Sequence, residues 1–306
     1  MFAVKVELMK SFAYGLCLLV FIPAFASPQR PPRTTSNTTS RAITVLTEPG
    51  AIIWIDEVRR GVTNDNGALT SLKLSGGAHT LRVRAMGFKE ISQPVTAVQR
   101  GEVRIHLVRT TDQAELLFQK AEDAREAAKD DTGRQSAADL YRQALKIRPT
   151  LSAAHLGLAR VLTDLNDTAN ALAEIEAARA ARPLYPEASA AEGRIYRETG
   201  QTDEAIGAFN RAIREAHGFQ PEAHVGIGRV YEEKGEYELA AREFKIAIDQ
   251  LFDTEPIIYQ LLGAAYEKTG NTRDAIAAYE NYLRLAPNGS QASAVRSIVD
   301  QLKSQP

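Results

Sequence analysis

The chain has 306 residues, of which 44% are hydrophobic and 25% are charged, values that are ordinary for a globular protein. Its net charge of −1 and its isoelectric point near 6.6 argue against a protein whose whole surface binds nucleic acid. The charge is uneven, because residues 1–109 carry a net +7 and residues 110–306 carry −8. We therefore expect a basic front part and an acidic back part that meet different surfaces.

Residues 1–26 are predicted to be a secretory signal peptide. Lys5 and Lys10 supply the positive flank, residues 11–22 the apolar stretch and residues 24–26 a small-x-small cleavage site. An uncleaved membrane anchor is the alternative, and it is disfavoured because the apolar stretch is shorter than the ~20 residues that a span needs. We expect an exported protein, periplasmic or at the cell surface, with no integral membrane span after cleavage.

The next segment, residues 27–41, is predicted to be a disordered linker. It is rich in Pro, Ser and Thr and shows no apolar periodicity, so it cannot bury enough surface to offset its ordering entropy. The only cysteine, Cys17, lies in the predicted signal peptide. A mature chain would therefore contain neither a disulfide nor a thiol nucleophile.

Residues 42–109 are predicted to form a small all-β sandwich. Short β-branched runs are separated by turn residues, and in HTLRVRA the apolar residues alternate with Arg82 and Arg84. Such a strand is expected to have one face packed on the core and one face exposed to solvent. The predicted strand segments are AITVLT, AIIWIDE, GALTSLKL, HTLRVRA, FKEISQPV and EVRIHLVR.

Short motifs span nearly all of this segment: Pro49-Gly50-Ala51, Ile53 to Asp56, Gly61-Val62-Thr63, GGAHTLRV and Gly87-Phe88. Together they resemble the PEGA domain of prokaryotic surface proteins. The resemblance implies a β-sandwich found in exported and cell-envelope proteins, with no established catalytic residues and no settled ligand. Asn64 departs from the pattern, since the family commonly has Pro after Gly-x-Thr.

Trp54 is the only tryptophan of the chain. It lies inside the apolar run AIIWI, so we predict that it belongs to the core of the sandwich. The alternative is an exposed platform on which a sugar ring could stack.

From about residue 110 the pattern becomes helical and repeats. Tyr196, Tyr231 and Tyr266 are 35 residues apart, and each has a small residue three positions before it and a glycine four positions after it. We expect two helices per unit, with small residues that allow close approach and aromatic residues that fill the gaps. The structural positions are Gly193, Tyr196, Ala205, Phe209, Gly228, Tyr231, Ala240, Phe244, Gly263, Tyr266, Ala275, Tyr279 and Pro287.

This pattern resembles the tetratricopeptide repeat (TPR) over residues 110–303. The resemblance implies an all-α solenoid of about five helix-pair repeats with a C-terminal capping helix, so the chain is predicted to be multidomain. A repeat cannot bury its own apolar faces without neighbours, which explains the repetition. The predicted units are a degenerate first repeat at 110–150, repeats at 152–185, 186–220, 221–255 and 256–289, and a capping helix at 290–303.

In this repeat family the residue after the conserved small residue faces a concave groove. Here that place is taken by Arg160, Arg194 and Arg229, a ladder suited to carboxylates on an extended peptide. The preferred alternative is that each arginine pairs along its own helix, because an acidic residue follows four positions later. The other predicted groove residues are Arg197, Glu232, Glu267 and Lys268.

No Gly-x-Ser-x-Gly, Walker or His-Glu-x-x-His motif occurs, and the five histidines lack metal-ligand spacing. We expect no catalytic site, cofactor or metal, and no nucleic-acid partner. The predicted function is a non-catalytic protein-protein interaction scaffold of the bacterial cell envelope, whose groove binds a protein or peptide. The alternative is a carbohydrate- or peptidoglycan-binding protein in which the β domain carries the ligand, and a secretion or assembly accessory predicts the same solenoid.

Overall fold

The computed structural model describes residues 41–74, 77–251 and 255–304. The predicted signal peptide and all of the predicted linker except Arg41 lie outside these ranges. Arg41 is the first residue of β1 rather than the end of a linker, and its buried guanidinium donates to the carbonyl oxygens of Gly77 and Thr96. Within the described ranges, strands come first and helices follow.

Seven strands form two sheets in residues 41–104, and we call residues 41–109 the β region. In the three-stranded sheet, β1 lies between β4, to which it is antiparallel, and β7, to which it is parallel. The four-stranded sheet has the order β3-β2-β5-β6 and is antiparallel throughout. The strands are β1 (Arg41–Leu46), β2 (Ile52–Ile55), β3 (Val58–Val62), β4 (Ala68–Leu74), β5 (His79–Arg84), β6 (Ile91–Val95) and β7 (Gly101–Arg104).

The two sheets share one apolar core. Ile43 and Leu74 of the first sheet belong to the same buried cluster as Ile53, Leu81 and Val83 of the second. Because successive side chains of a strand point to opposite faces, the neighbours of these residues along β2 and β5 point away from the core. That outer face of the four-stranded sheet carries the residues described below as the site.

β3 is a strand that the sequence analysis does not predict. It follows β2 through a turn at Asp56 and Glu57, whose φ angles of 50° and 65° lie in the left-handed region. Such hairpin turns favour Gly and Asn, and neither residue is present here, so the usual hairpin signal is missing. The Asp56 carboxylate stabilises the turn, since it accepts from the Thr80 backbone N–H at 2.8 Å and contacts Nδ1 of His79 at 2.5 Å.

In the part of the chain that the structure describes, the helices form five pairs and a final single helix, as the prediction of a helical solenoid requires. Within the described ranges none of them has the length and apolar character needed to cross a bilayer. The helices are α1 (Gln113–Ala127), α2 (Asp131–Ile147), α3 (Ser152–Asp164), α4 (Thr168–Ala181), α5 (Pro186–Glu198), α6 (Thr202–Glu215), α7 (Pro221–Glu233), α8 (Tyr237–Leu251), α9 (Pro256–Lys268), α10 (Thr272–Leu285) and α11 (Ala292–Ser304).

Small residues set the distance between the helices of a pair. A Cβ atom added to Gly228 would lie 2.5 Å from the ring of Phe244, and one added to Gly263 would lie 2.6 Å from the ring of Tyr279. Contacts under about 3 Å are not tolerated between packed carbon atoms, so these positions require glycine. Ala205, Ala240 and Ala275 on the second helices are fully buried, and Tyr196, Tyr231 and Tyr266 are half-buried.

Candidate functional site

The odd-numbered helices share one surface of the repeats. Direct contacts join α1 to α3, α3 to α5 and α5 to α7. A cavity of about 490 Å³ lies between this surface and the outer face of strands β2, β3 and β5. We call the helix side of this cavity the inner face; its residues include Phe118, Glu122, Glu126, Leu156, Arg160, Tyr185, Glu187, Glu222, Val225, Glu255 and Ile258.

The β2–β3 hairpin, residues 52–62, lies against the inner face. Val58 packs against the apolar cluster formed mainly by α8 and α9. The guanidinium of Arg59 donates to the Glu126 carboxylate of α1 at 2.7 Å. Arg60 interacts electrostatically with Glu255, the residue before α9. The hairpin therefore interacts with the first helix, α1, and with the region of α8 and α9.

Trp54 belongs to this contact and not to the core of the β region. It is 8% exposed, yet it is outside the apolar cluster shared by the two sheets. The register of β2 and β5 places Trp54 beside Arg82, whose Cζ atom lies 4.2 Å from the indole centroid. Arg82 and Arg84 lie over the ring, which lines the cavity and is only 8% exposed, so it presents no open platform for a sugar.

Arg84 connects the β region to α1. Its Cζ atom lies 4.8 Å from the ring centroids of both Trp54 and Phe118, and its guanidinium lies 3.6 Å from the Glu122 carboxylate. Cation–π contacts of this kind strengthen when they are removed from water. The side chains of β5 that alternate with its core residues were expected to be exposed to solvent. Arg84 is one of them, yet it is only 7% exposed.

Glu122 is surrounded by groups that keep it charged. Burial alone would raise its pKa, but the charges of Arg125 and Arg84 and a hydrogen bond from the Tyr141 hydroxyl hold the pKa of Glu122 below its usual value. Burial and the same carboxylate raise the pKa of Tyr141. The inner face therefore presents a fixed negative charge to the arginines of the β region.

Gln119 provides a second connection between α1 and the β region. Its side-chain oxygen accepts from the Gly87 backbone N–H at 2.8 Å, and its side-chain nitrogen donates to the Phe88 carbonyl at 2.9 Å. Gln119 is 2% exposed, so both bonds are shielded from water. Buried polar groups that are paired in this way fix the orientation of the elements that carry them.

Glu57, at the tip of the hairpin, meets the helices at the start of α5. Its carboxylate lies 3.8 Å from the guanidinium of Arg182 and beside the carboxyl group of Glu187. Burial and the interaction with Glu57 raise the pKa of Glu187 to about 8. Arg82 lies between the two acids, 2.8 Å from Glu57 and 3.6 Å from Glu187.

The charges of the two parts are complementary. Arg59, Arg60, Arg82 and Arg84 come from the β region, and each faces a carboxylate of the helical part of the chain. Arg82 and Arg84 also lie near Glu90 of the β region itself. The expectation that the basic and acidic parts of the chain meet different surfaces is therefore wrong for these residues, because they meet each other. Opposite potentials of this kind orient two surfaces as well as attract them.

The predicted arginine ladder is divided among different partners. Arg160 lines the cavity and makes neither a hydrogen bond nor an ion pair with any residue in the described ranges. Arg194 lies 3.3 Å from Asp164 of the preceding repeat and 3.7 Å from Glu198 of its own helix. Arg229 lies close to Glu232. Pairing along the same helix thus occurs for Arg194, together with a contact between repeats.

The other predicted groove residues also lie on the first helices of their repeats. Arg197 donates to Glu233 of the next repeat at 2.7 Å. Burial raises the pKa of Glu232, and the Tyr279 hydroxyl donates to Glu267 at 3.0 Å. Lys268 is exposed in the last turn of α9. None of these four residues lines the cavity described above.

Sequence reasoning missed the acidic side of the inner face and the polar links inside the repeats. Nδ1 of His155 contacts Glu174 at 2.6 Å, and Nδ1 of His224 contacts Glu243 at 2.7 Å, each pair 19 residues apart. Both pairs join the first helix of a repeat to its second. The recurring His-Glu separation was a signal that could have found them.

The described parts of the chain contain no group of three or more His, Cys, Asp or Glu side chains arranged to hold a metal ion. The carboxylates of the inner face are matched mainly with arginines. The inner face offers charged and apolar side chains that can contact another polypeptide surface.

The comparisons with known proteins concern the helices. Residues 156–218 and 190–256 match a family model described as tetratricopeptide repeat, and residues 257–288 match a second model with the same description. The chain therefore contains tetratricopeptide repeats, as the sequence pattern predicts. No curated protein sequence matches this chain.

Similar solved structures share this fold. TTC0263, a thermophilic TPR protein of Thermus thermophilus, is 23% identical with a TM-score of 0.51, and the match covers 63% of this chain and 100% of that one. PilF of Pseudomonas aeruginosa is 15% identical with a TM-score of 0.53, over 62% and 88% of the two chains. PilW, described as a type IV pilus biogenesis factor, is 16% identical with a TM-score of 0.53, over 64% and 93%. At these identities the likeness concerns the fold.

Proposed function

We propose that this protein is a non-catalytic scaffold that binds a protein or peptide partner on the inner face of its repeats. Stacked helix pairs present an extended surface on one side, and tetratricopeptide repeats generally serve as interaction scaffolds. The proposal needs no reacting group and no cofactor.

One observation carries this proposal: the inner face already holds a polypeptide segment. The β2–β3 hairpin lies against it through the apolar contact of Val58 and the ion pair of Arg59 with Glu126. A surface that offers apolar side chains and paired charges to one segment has the features of a protein-binding surface. The remaining cavity is lined by apolar and charged side chains, among them Ile258, Glu222 and Arg160.

We further propose that the protein works in the bacterial cell envelope. The support is the predicted signal peptide at residues 1–26, together with the resemblance of residues 42–109 to the PEGA domain. In this proposal the β region orients the repeats and contributes one wall of the cavity. Detection of the mature chain in the cytoplasmic fraction of the native cell would contradict the envelope location.

A photo-crosslinking experiment tests the binding surface. A benzophenone amino acid is placed at Ile257, which is 46% exposed and lines the cavity, or at Ile246 on α8, which is 38% exposed and outside it. We expect discrete crosslinked proteins from position 257 in native cells and none from the matched position 246. Crosslinks from position 246 alone, or from neither position, would contradict the proposal.

A further inference from the structure

Three consecutive residues of the hairpin interact with the inner face at two separate places, one on α1 and the other around α8 and α9. Val58 packs on the cluster of α8 and α9, Arg59 pairs with Glu126 of α1, and Arg60 interacts with Glu255 before α9. One short segment of basic-apolar composition thus spans the array. Continuous contacts of this kind are typical of peptide recognition by a preformed groove.

The inner face is acidic where the β region meets it. Glu122, Glu126, Glu187 and Glu255 face the arginines of the β region, and the exposed Glu222 lines the cavity without an ion pair in the described ranges. A cationic segment satisfies these carboxylates, whereas an acidic segment would add like charges next to them. The predicted ligand of the arginine ladder was an acidic peptide, so this face favours the opposite charge.

The β region is held against the inner face, but not by close packing throughout. The ion pairs of Arg82 and Arg84, both in β5, with Glu187 and Glu122 are 3.6 Å long. In the hairpin, Glu57 lies 3.8 Å from Arg182, whereas Arg59 lies 2.7 Å from Glu126. A cavity of about 490 Å³ remains between the two surfaces. Protein interiors are normally packed without voids of this size, so the contact resembles a separable interface more than a core.

The turn that carries the hairpin tip is strained. Asp56 and Glu57 both have positive φ angles, a conformation that costs non-glycine residues free energy. A glycine would remove the strain at either position, but a glycine at position 57 would also remove the carboxylate that meets Arg182. The turn therefore keeps a side chain that serves the contact with the helices.

We infer that the β region, through its β2–β3 hairpin, is an internal ligand of the inner face, and that the external partner is a basic segment with an arginine next to an apolar residue that displaces the β region from this face. This inference rests on the proposed function and names the chemistry of its partner. The protein then has a closed form, described here, and an open form in which the same carboxylates and the apolar cluster of α8 and α9 are free. The partner and the hairpin compete for one surface.

Thiol labelling measures the open form without any knowledge of the partner. In the full chain, Cys17→Ser removes the natural cysteine and Val225→Cys places a thiol on the inner face. Val58→Asp with Arg59→Glu is expected to release the hairpin, because it introduces acids opposite an apolar cluster and Glu126. Labelling of position 225 by a bulky maleimide should then accelerate at least about tenfold, since the rate follows the open population.

Arg104→Glu is the matched control, because Arg104 is exposed and pairs with Glu102 within β7. It changes the charge of the β region without touching the helices, and labelling at position 225 should stay at the rate of the chain with Val58 and Arg59 intact. Equal labelling of the released and intact chains would overturn the inference. So would an equal acceleration by Arg104→Glu.

The partner chemistry is tested with a synthetic probe, a cyclised peptide of the hairpin sequence IIWIDEVRRGV, and a version with both arginines replaced by glutamate. We expect the basic peptide to slow labelling of the released chain and the acidic peptide to leave it unchanged. Equal protection by both peptides, or by neither, would overturn the inference. Thiol labelling at position 225 tests this inference, and photo-crosslinking at position 257 tests the proposed function. Because the two measurements are independent, either claim can be contradicted while the other stands.

Discussion

Glu57 and Glu187 place two carboxyl groups side by side, one in the turn of the β2–β3 hairpin and the other in the first turn of α5. The charged groups around them are Arg82 of β5, Arg182 at the end of α4 and Glu90, which lies 3.5 Å from Arg82. The Tyr185 ring lies beside Arg182. Burial and the neighbouring Glu57 carboxyl group raise the pKa of Glu187.

The first prediction concerns pH. Glu187 has a folded pKa of about 8 against an ordinary value of 4.5, so the folded chain binds a proton that the unfolded chain releases. This contribution to stability is fully present below about pH 4.5 and is lost as the pH rises toward 8. We expect the free energy of unfolding to fall by about 2 kcal/mol between pH 6 and pH 8 from this group.

Glu187→Gln should remove that loss, because an uncharged amide mimics the protonated acid. Urea unfolding at a series of pH values measures the effect, and the emission of Trp54, the only tryptophan, reports separation of the two surfaces. Glu198→Gln on the same helix is the control, since Glu198 lies away from the hairpin beside Arg194. A pH profile that is identical in Glu187→Gln and the unaltered chain would contradict the assignment.

The second prediction concerns the close approach of the helices. Gly228→Val should destabilise the repeats by at least about 2 kcal/mol, because even its Cβ would lie 2.5 Å from the Phe244 ring. Gly207→Ala is the opposite case, since Gly207 is helical and exposed and no other atom lies within 4 Å of an added Cβ. It should stabilise α6 by about 0.5–1 kcal/mol. Thermal melts followed by circular dichroism compare the two variants, and an unchanged melting temperature for Gly228→Val would refute the packing argument.

The third prediction concerns Gln119. Gln119→Leu keeps the side chain near its size but leaves the Gly87 N–H and the Phe88 carbonyl without their partner. The expected cost is about 1–3 kcal/mol. Amide hydrogen exchange at Gly87 should accelerate, whereas Gln113→Leu, at the exposed start of α1, should leave it unchanged. Slow exchange at Gly87 in both variants would show that Gln119 does not hold this turn.

The fourth prediction concerns Arg194 and Arg229. Neither residue lines the cavity, so replacing both with Glu should leave capture of a basic partner undiminished. The repeats should stay folded, because both side chains are only half-buried and an exposed ion pair contributes about 0.3–0.5 kcal/mol. The measurement is a pull-down with the partner identified by crosslinking, alongside the melting temperature. Weaker capture by a folded double variant would place these arginines on the binding surface.

The repeats could be predicted from the sequence because their signal is local and occurs several times. Gly193, Gly228 and Gly263 recur at one spacing, and the aromatic ring that each one meets lies 16 residues later in every case. Packing within a helix pair depends on nearby residues, so its requirements are visible in one stretch of chain. The alternation in β5 likewise predicts which of its residues form the core of the β region.

The contact between the β region and the repeats could not be predicted in the same way. Arg84 and Glu122 are far apart in sequence, and the residues around each of them do not indicate which residue it contacts. An arginine on the outer face of a strand has the same local signature whether it faces water or another part of the chain. The turn at Asp56 and Glu57 has positive φ angles but no glycine. Because the usual sequence signal of a hairpin turn is absent, neither β3 nor the hairpin was predicted.

The burial of Val58 on the cluster of α8 and α9 has a practical consequence for anyone who divides this chain. A fragment that starts at residue 110 would leave Val225 and Ile258 uncovered next to unneutralised glutamates. Such a fragment would present the acidic and apolar surface permanently, so an interaction screen with it would enrich basic and apolar segments, including those that do not displace the β region of the intact chain.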